Sequence, residues 1–372
     1  SIADAAQDPE VLAAFKSFVD QPGVPVVDLR RDGSKLVATQ SRYAFLGGTP
    51  AAQSWTIPFC VRAGDAKTCM LLDKASTAFD LAGNGPLMPN VGGTGYYRFD
   101  LPAADWQALI GASAQLPPGE AIATTDSLWA SFRAGKAPAS WLIDEARAMA
   151  ANPSSIASVG PGGRLSGLRS LGMIPASSET AYRKLIASIY APRLEQMGFD
   201  PAFGAQANDA PDKQTLRQQL VELLAFDAKD PAVRSTLKAA AMKYLGGDTQ
   251  ALDPGFRRAA LGVAAEDGGL PMIKRLVETA LSTEDPTVRQ AALGAAAGSG
   301  NPAALSYLLN LNDKRLRSFD RLMLVGGLAG TPETRDAAEK WIFANYDKLA
   351  SGNGIFISSR LPGLLGCQCS AA

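Results

Sequence analysis

The chain has 372 residues, 47% of them hydrophobic and 19% charged, a globular balance at a length that suits two or three domains. Its 36 lysines and arginines balance 36 aspartates and glutamates, so no net charge draws it to nucleic acid or to an anionic membrane, and no run of about 18 apolar residues is present to span a bilayer. It contains no histidine, which excludes a Ser-His-Asp triad, a Cys-His pair and an H-E-x-x-H zinc site within this chain.

The first predicted element is a helix over residues 8–20. Asp8 can cap it, Pro9 suits its first turn, and Val11, Leu12, Phe15, Phe18 and Val19 share one face. Gln21-Pro22-Gly23 ends it. The texture then changes to strands. Val24 to Leu29 and Lys35 to Phe45 flank the turn Arg31-Asp32-Gly33-Ser34, and Trp55 to Arg62 and Lys67 to Leu72 flank Ala63-Gly64-Asp65-Ala66. Tyr96 to Phe99 closes the region, so residues 22–102 read as a small β-sandwich.

From residue 103 to 372 the pattern is helical. Leu216, Leu220, Leu223 and Leu224 share a face, as do Val233, Leu237, Ala240, Ala241 and Tyr244, and Ala338, Trp341, Ile342 and Leu349. Asp253-Pro254-Gly255-Phe256-Arg257 leads into Ala259-Ala260-Leu261-Gly262. Thirty-two residues later, Asp285-Pro286-Thr287-Val288-Arg289 leads into Ala291-Ala292-Leu293-Gly294. Asp230-Pro231-Ala232-Val233-Arg234 is a weaker third copy. The shared logic is an aspartate cap, a proline in the first turn and a small-residue face for close packing. The fold class is therefore mostly α: a small β-sandwich followed by an α-α superhelix of HEAT- or armadillo-like helix pairs.

Few residues nominate chemistry. Asn90 to Gly95 matches neither glycine-rich phosphate pattern and reads as a turn entering a strand, and Gly160-Pro161-Gly162-Gly163 reads as a loop between helices. The four cysteines, Cys60, Cys69, Cys367 and Cys369, lack the tight spacing of a four-cysteine zinc site. If Gly64-Asp65 is the turn, Cys60 faces Cys69 at a non-hydrogen-bonded pair with Cα atoms about 4.5 Å apart, within disulfide range. The pair reads as a disulfide candidate, which implies a periplasmic or secreted protein, or as two small apolar side chains, which leaves a cytoplasmic one. Lys314, Arg315, Arg317 and Arg321 form a basic cluster: either a solvated helical face or, for Arg315, Arg317 and Arg321, a surface facing a peptide carboxylate. The carboxylates are scattered and nominate no catalytic pair.

Four ordered stretches carry a resemblance: Gln21 to Val27, Thr39 to Tyr43, Trp55 to Pro58, and Gly95 to Phe99. Together they resemble the small β-sandwich of the aminopeptidase N-like zinc metallopeptidases, and the helical remainder, with Trp341 to Leu349 and Ser359-Arg360-Leu361, is similar to that family's C-terminal helical domain. The resemblance implies that residues 1–21 end a catalytic domain missing from this chain, that residues 22–102 and 103–372 are the sandwich and the helical-repeat domain, and that both ends are cut. It implies no catalytic or metal-binding residue and no cofactor in this chain. Zinc and a peptide-trimming activity belong to the complete protein, whose partners are the missing catalytic domain and peptide substrates. This part would cover the active site and shape a peptide chamber, and would be inactive alone. The other reading is a free-standing helical-repeat scaffold that binds peptides or proteins.

Overall fold

A computed structural model describes residues 9–33, 35–350 and 359–365. The first helix, α1 (Pro9–Val19), forms where its apolar spacing predicts. The capping role of Asp8 lies outside the described residues. On α1 Ala14 is buried, whereas Val11, Phe15 and Val19 are exposed.

Seven strands follow among the described residues. β1 (Pro25–Asp32) and β2 (Lys35–Arg42) form a hairpin, with Gly33 in the left-handed region at φ 60°. β3 (Ile57–Ala63) and β4 (Ala66–Leu72) form a second one around Gly64, with Ala63 opposite Ala66 and Cys60 opposite Cys69. β5 (Ser76–Asp80) and β6 (Leu87–Met88) escape the sequence pattern. β5 is mostly exposed and β6 has only two residues, so neither shows a hydrophobic period. β7 (Arg98–Asp100) runs parallel to β1 and sets Phe99 beside Val27. The strands make two sheets, ordered β5-β2-β1-β7 and β4-β3-β6. Phe59 of β3 joins the two sheets. It is fully buried, with its ring 6.1 Å from Phe79 of β5.

α2 (Ala103–Ala112), α3 (Pro118–Arg133) and α4 (Ala139–Met149) belong to the same compact unit as the strands, residues 1–162. Trp106 of α2 stacks on Phe99 at 5.3 Å and donates its indole N–H to Asp100 at 2.9 Å. A buried indole needs such a partner, so this bond fixes where α2 lies on β7.

The second unit is residues 163–372. α5 (Ser155–Ser170) contains Gly160 to Gly163, the stretch that the sequence assigns to a loop. Burial of Ala157, Val159 and Leu165 outweighs the roughly 1 kcal/mol that each glycine costs a helix. Next come α6 (Glu179–Met197), α7 (Pro211–Glu222), a π-turn at Leu223–Asp227, and α8 (Pro231–Leu245). α9 (Pro254–Ser282) breaks at Gly269 (φ 59°, ψ −159°), two residues before Pro271, and so serves as a pair of helices. α10 (Pro286–Ala297), α11 (Pro302–Leu309), α12 (Ser318–Gly330), α13 (Arg335–Ala344) and α14 (Tyr346–Ala350) complete the described helices. The three Asp-Pro openings act as caps: Asp230, Asp253 and Asp285 each accept from backbone N–H groups two or three residues on. Asn301 before Pro302 does the same for α11.

Candidate functional site

The arginines of the repeated motif do more than decorate helices. Arg289 is 5% exposed and donates through Nε and Nη2 to Asp320 Oδ2, at 3.1 and 2.6 Å. It also donates to the carbonyls of Ala280 and Arg315. Arg234 repeats the arrangement: one bond goes to a carbonyl nine residues back, Ala225, and others go to carboxylates one repeat ahead, Glu266 and Asp267. Arg257 reaches Thr287 at 2.8 Å. Each arginine thus spans from its own helix to the next repeat. Lys229, the one non-glycine with positive φ among the described residues, adds a 2.7 Å ion pair to Glu266.

This network stands beside the basic cluster. Lys314 is exposed. Arg315 forks onto Glu278, with bonds of 2.9 and 3.0 Å, and also pairs with Asp313. Its guanidinium holds Asp313 down to about 2 and keeps Glu278 below the usual carboxylate range. Arg317 starts α12, and its backbone N–H donates to Asp320 at 2.8 Å. Arg321 faces a different direction. It lines a cavity of about 440 Å³ and donates to the Leu311 carbonyl at 3.1 Å. Leu308, Leu316, Val325 and Trp341 form apolar walls, and Asn310 and Asn345 are polar points in the lining. The three arginines are therefore not one cluster: Arg315 has its charge matched locally, Arg317 sits on the exposed surface, and Arg321 lines a cavity with mixed apolar and polar walls. Only the Asp-Pro-x-x-Arg spacing could have pointed to the repeat network, and nothing in the sequence pointed to the cavity.

A second concavity, about 820 Å³, lies between α9 and α10, with Gly262, Ala291, Gly294 and Gly298 in its lining and Arg257 and Arg258 at one end.

In the first unit, Cys60 and Cys69 are joined by a disulfide, with Cα atoms 4.1 Å apart. The Asn90 to Gly95 turn is closed by the Asn90 side chain, which accepts from Gly95 N–H and donates to the Gly95 carbonyl. Glu120, 3% exposed, accepts from Gly92 N–H and from Arg62. A Cβ at Gly93 would meet the Gly119 carbonyl oxygen at 2.1 Å, so close backbone packing requires glycine there.

The described donors form no zinc site. The sequence has no histidine, and among the described residues no group of three or more cysteines, aspartates or glutamates could hold a metal ion. No described helix is long and apolar enough to cross a membrane. The family described as ERAP1-like C-terminal domain matches residues 87–372. A 110-residue stretch is 27% identical to the Tricorn protease-interacting factor F2 of Thermoplasma acidophilum, covering 30% of this chain and 13% of that protein.

Proposed function

The chain belongs to the ERAP1-like C-terminal domain family, the C-terminal domain of aminopeptidase N-like enzymes, and on that footing we propose that it is the non-catalytic part of a zinc-dependent aminopeptidase that trims N-terminal residues from peptides. The match over residues 87–372 carries this reading. The zinc and its ligands belong to the rest of the parent protein, in keeping with the lack of histidine here and of any metal-holding group among the described residues. The chain alone is inactive. It covers the active site and walls the peptide chamber, and its helices read as HEAT-like pairs.

Arg321 is the residue we assign to the peptide. A half-buried guanidinium that has no carboxylate partner among the described residues attracts a ligand carboxylate more strongly than one fully in water. Arg317 and Arg315 flank the same helix start and attract peptide to it, with Arg315 the weaker because its charge is matched. The Cys60–Cys69 bond supports an oxidising compartment, periplasmic or secreted.

The test uses the full-length parent. It should bind zinc and hydrolyse aminoacyl-arylamides, whereas this chain alone should do neither. Arg321→Ala should raise KM about tenfold for peptides with a free carboxyl terminus, as expected for losing one charge-assisted hydrogen bond. Amidated peptides and arylamides should be unaffected. A parent without zinc or turnover would sink the proposal, and equal effects on free and amidated peptides would remove Arg321 from it.

A further inference from the structure

The concavity of about 820 Å³ between α9 and α10 has no part in the function given above. Its floor is made of small residues: Gly262 on α9, and Ala291, Gly294, Ala295 and Gly298 along α10 and its end, spaced i, i+3, i+4, i+7. Gly262 and Gly294 each close a copy of the repeated Ala-Ala-Leu-Gly, yet their surroundings differ. A Cβ at Gly262 would meet the Phe226 ring at 2.8 Å, so the fold itself needs that glycine. A Cβ at Gly294 would meet nothing within 4 Å, and the residue is exposed. Glycine costs a helix interior more than any residue except proline, and no packing among the described residues offsets that cost at Gly294. The seat that an aromatic ring fills over Gly262 is open over Gly294.

The charge in this groove has one sign. Arg257 and Arg258 are the charged residues of its lining. Arg258 is exposed and lies 3.6 Å from Glu222, at the long end for an ion pair. Arg257 donates to the Thr287 hydroxyl and lies 5.5 Å from the Tyr244 ring, and its Nε is buried with no hydrogen-bond partner among the described residues. Asp285 lies within the field of Arg257, but its carboxylate is occupied as the cap of α10. Bonds from Thr287 lead in holding its carboxyl below the usual range, and Arg257 adds the smallest share.

We propose that this groove seats a helix of a partner protein, its backbone close over Gly294 and Gly298 and an acidic side chain on Arg257 and Arg258. Charge complementarity selects an acidic occupant, since both charges of the lining are positive. The floor selects a helix: where one helix presents only glycine and alanine, a second can approach to the lower end of the roughly 8–10 Å between packed axes. Recognition is through a side-chain carboxylate, and the proposal stands apart from the enzyme reading.

The probe is an acetylated, amidated peptide of alanine and glutamine, about 16 residues long so that it holds a helix, with two glutamates one turn apart. Its twin carries glutamine in their place. Fluorescence anisotropy with the 372-residue chain should show the glutamate peptide binding at least about tenfold more tightly than the twin. Gly294→Gln adds a good helix former in open space, so it should raise the melting temperature by about 2 °C while weakening the glutamate peptide about tenfold or more. Arg257→Gln/Arg258→Gln should bring the glutamate peptide down to the level of its twin. Equal binding of the two peptides, no binding at millimolar peptide, or full binding by Gly294→Gln overturns the proposal. A lower melting temperature in Gly294→Gln also overturns it, because the fold would then need that glycine. So does a chain that sediments as a dimer and becomes a monomer in Gly294→Gln, because a second copy would then fill the groove.

Discussion

Asp320→Ala is the most informative single change in the second unit. The carboxylate is 4% exposed and has three donors: Arg289 Nε, Arg289 Nη2 and the Arg317 backbone N–H. Its removal leaves a buried guanidinium without its counter-ion, a loss of about 3–5 kcal/mol. It also strips one acceptor from the start of α12, which is worth about 1 kcal/mol, although the two terms overlap. Arg289 keeps the Ala280 and Arg315 carbonyls, which holds the sum near 4 kcal/mol rather than higher. At 1.36 kcal/mol per factor of ten, amide exchange in α10 and α12 should speed about a thousandfold where it proceeds through opening of this unit. Hydrogen exchange read by mass spectrometry localises the effect without assuming that the whole chain unfolds in one step. Arg289→Met/Asp320→Ala should recover at least half of the loss, because a buried pair can be replaced by apolar volume at little cost. Exchange within tenfold of wild type in Asp320→Ala, or a double variant worse than the single, would refute the view that this pair bridges the repeats.

Two further outcomes follow from the same structure. Reducing the Cys60–Cys69 bond, which closes a short loop of sequence separation 9, should cost about 2–3 kcal/mol on the loop-entropy account and add two hydrogens to the mass. Unchanged mass and melting after a thiol reductant would show that the cysteines are not bonded. Stability should be nearly flat from about pH 8 to 5, since no histidine is present to titrate there. It should then fall with acid, because the carboxyls of Glu179 and Asp267 have folded-state pKa values below their ordinary ones. Hydrogen bonds from Arg169 lead the shift at Glu179; at Asp267 burial opposes the shift and Arg234 outweighs it. A depressed carboxyl contributes stability above its unfolded value, near 4, that disappears as pH falls through the lower folded value. Glu179→Gln should flatten the acid limb of a plot of melting temperature against pH, and an unchanged limb would contradict the assignment.

The elements visible in the sequence are those with a period or a punctuation mark. The β3–β4 hairpin is legible because Gly64-Asp65 sets the turn and the turn sets the register, which is why Cys60 can be placed opposite Cys69 by counting. The Asp-Pro caps are legible because a cap is a local interaction. β5 and β6 are not, since a two-residue or solvated strand is defined by its neighbours rather than by its own residues. α5 shows the opposite failure: glycine and proline read as a break, yet burial of the surrounding side chains holds the helix. The candidate site was harder still. Arg315, Arg317 and Arg321 are close in sequence, but Glu278 and Asp313 neutralise the first and a leucine-lined cavity takes the last. Partners 37 residues away in sequence, as Glu278 is from Arg315, leave no mark in local spacing.

Charge pairing also limits which cations are open to a ligand. Many of its arginines are committed to internal carboxylates: Arg169 to Glu179, Arg217 to Asp209, Arg234 to Glu266 and Asp267, and Arg289 to Asp320. Three of these pairs join residues 8 to 33 positions apart across helix boundaries, and the fourth, Arg169 to Glu179, spans the turn between α5 and α6. Such charges hold the helices in register and are unavailable to a ligand. A cation that is to meet a peptide must be one left over from this network. Arg321 meets that condition in the second unit: its bond is to a neutral carbonyl, and it lines a cavity walled by leucine, valine and tryptophan with asparagines among them. Placing a carboxylate near Arg321, as Leu311→Asp would do, should therefore mimic Arg321→Ala in the full-length protein by spending that charge locally, as Glu278 and Asp313 already do for Arg315.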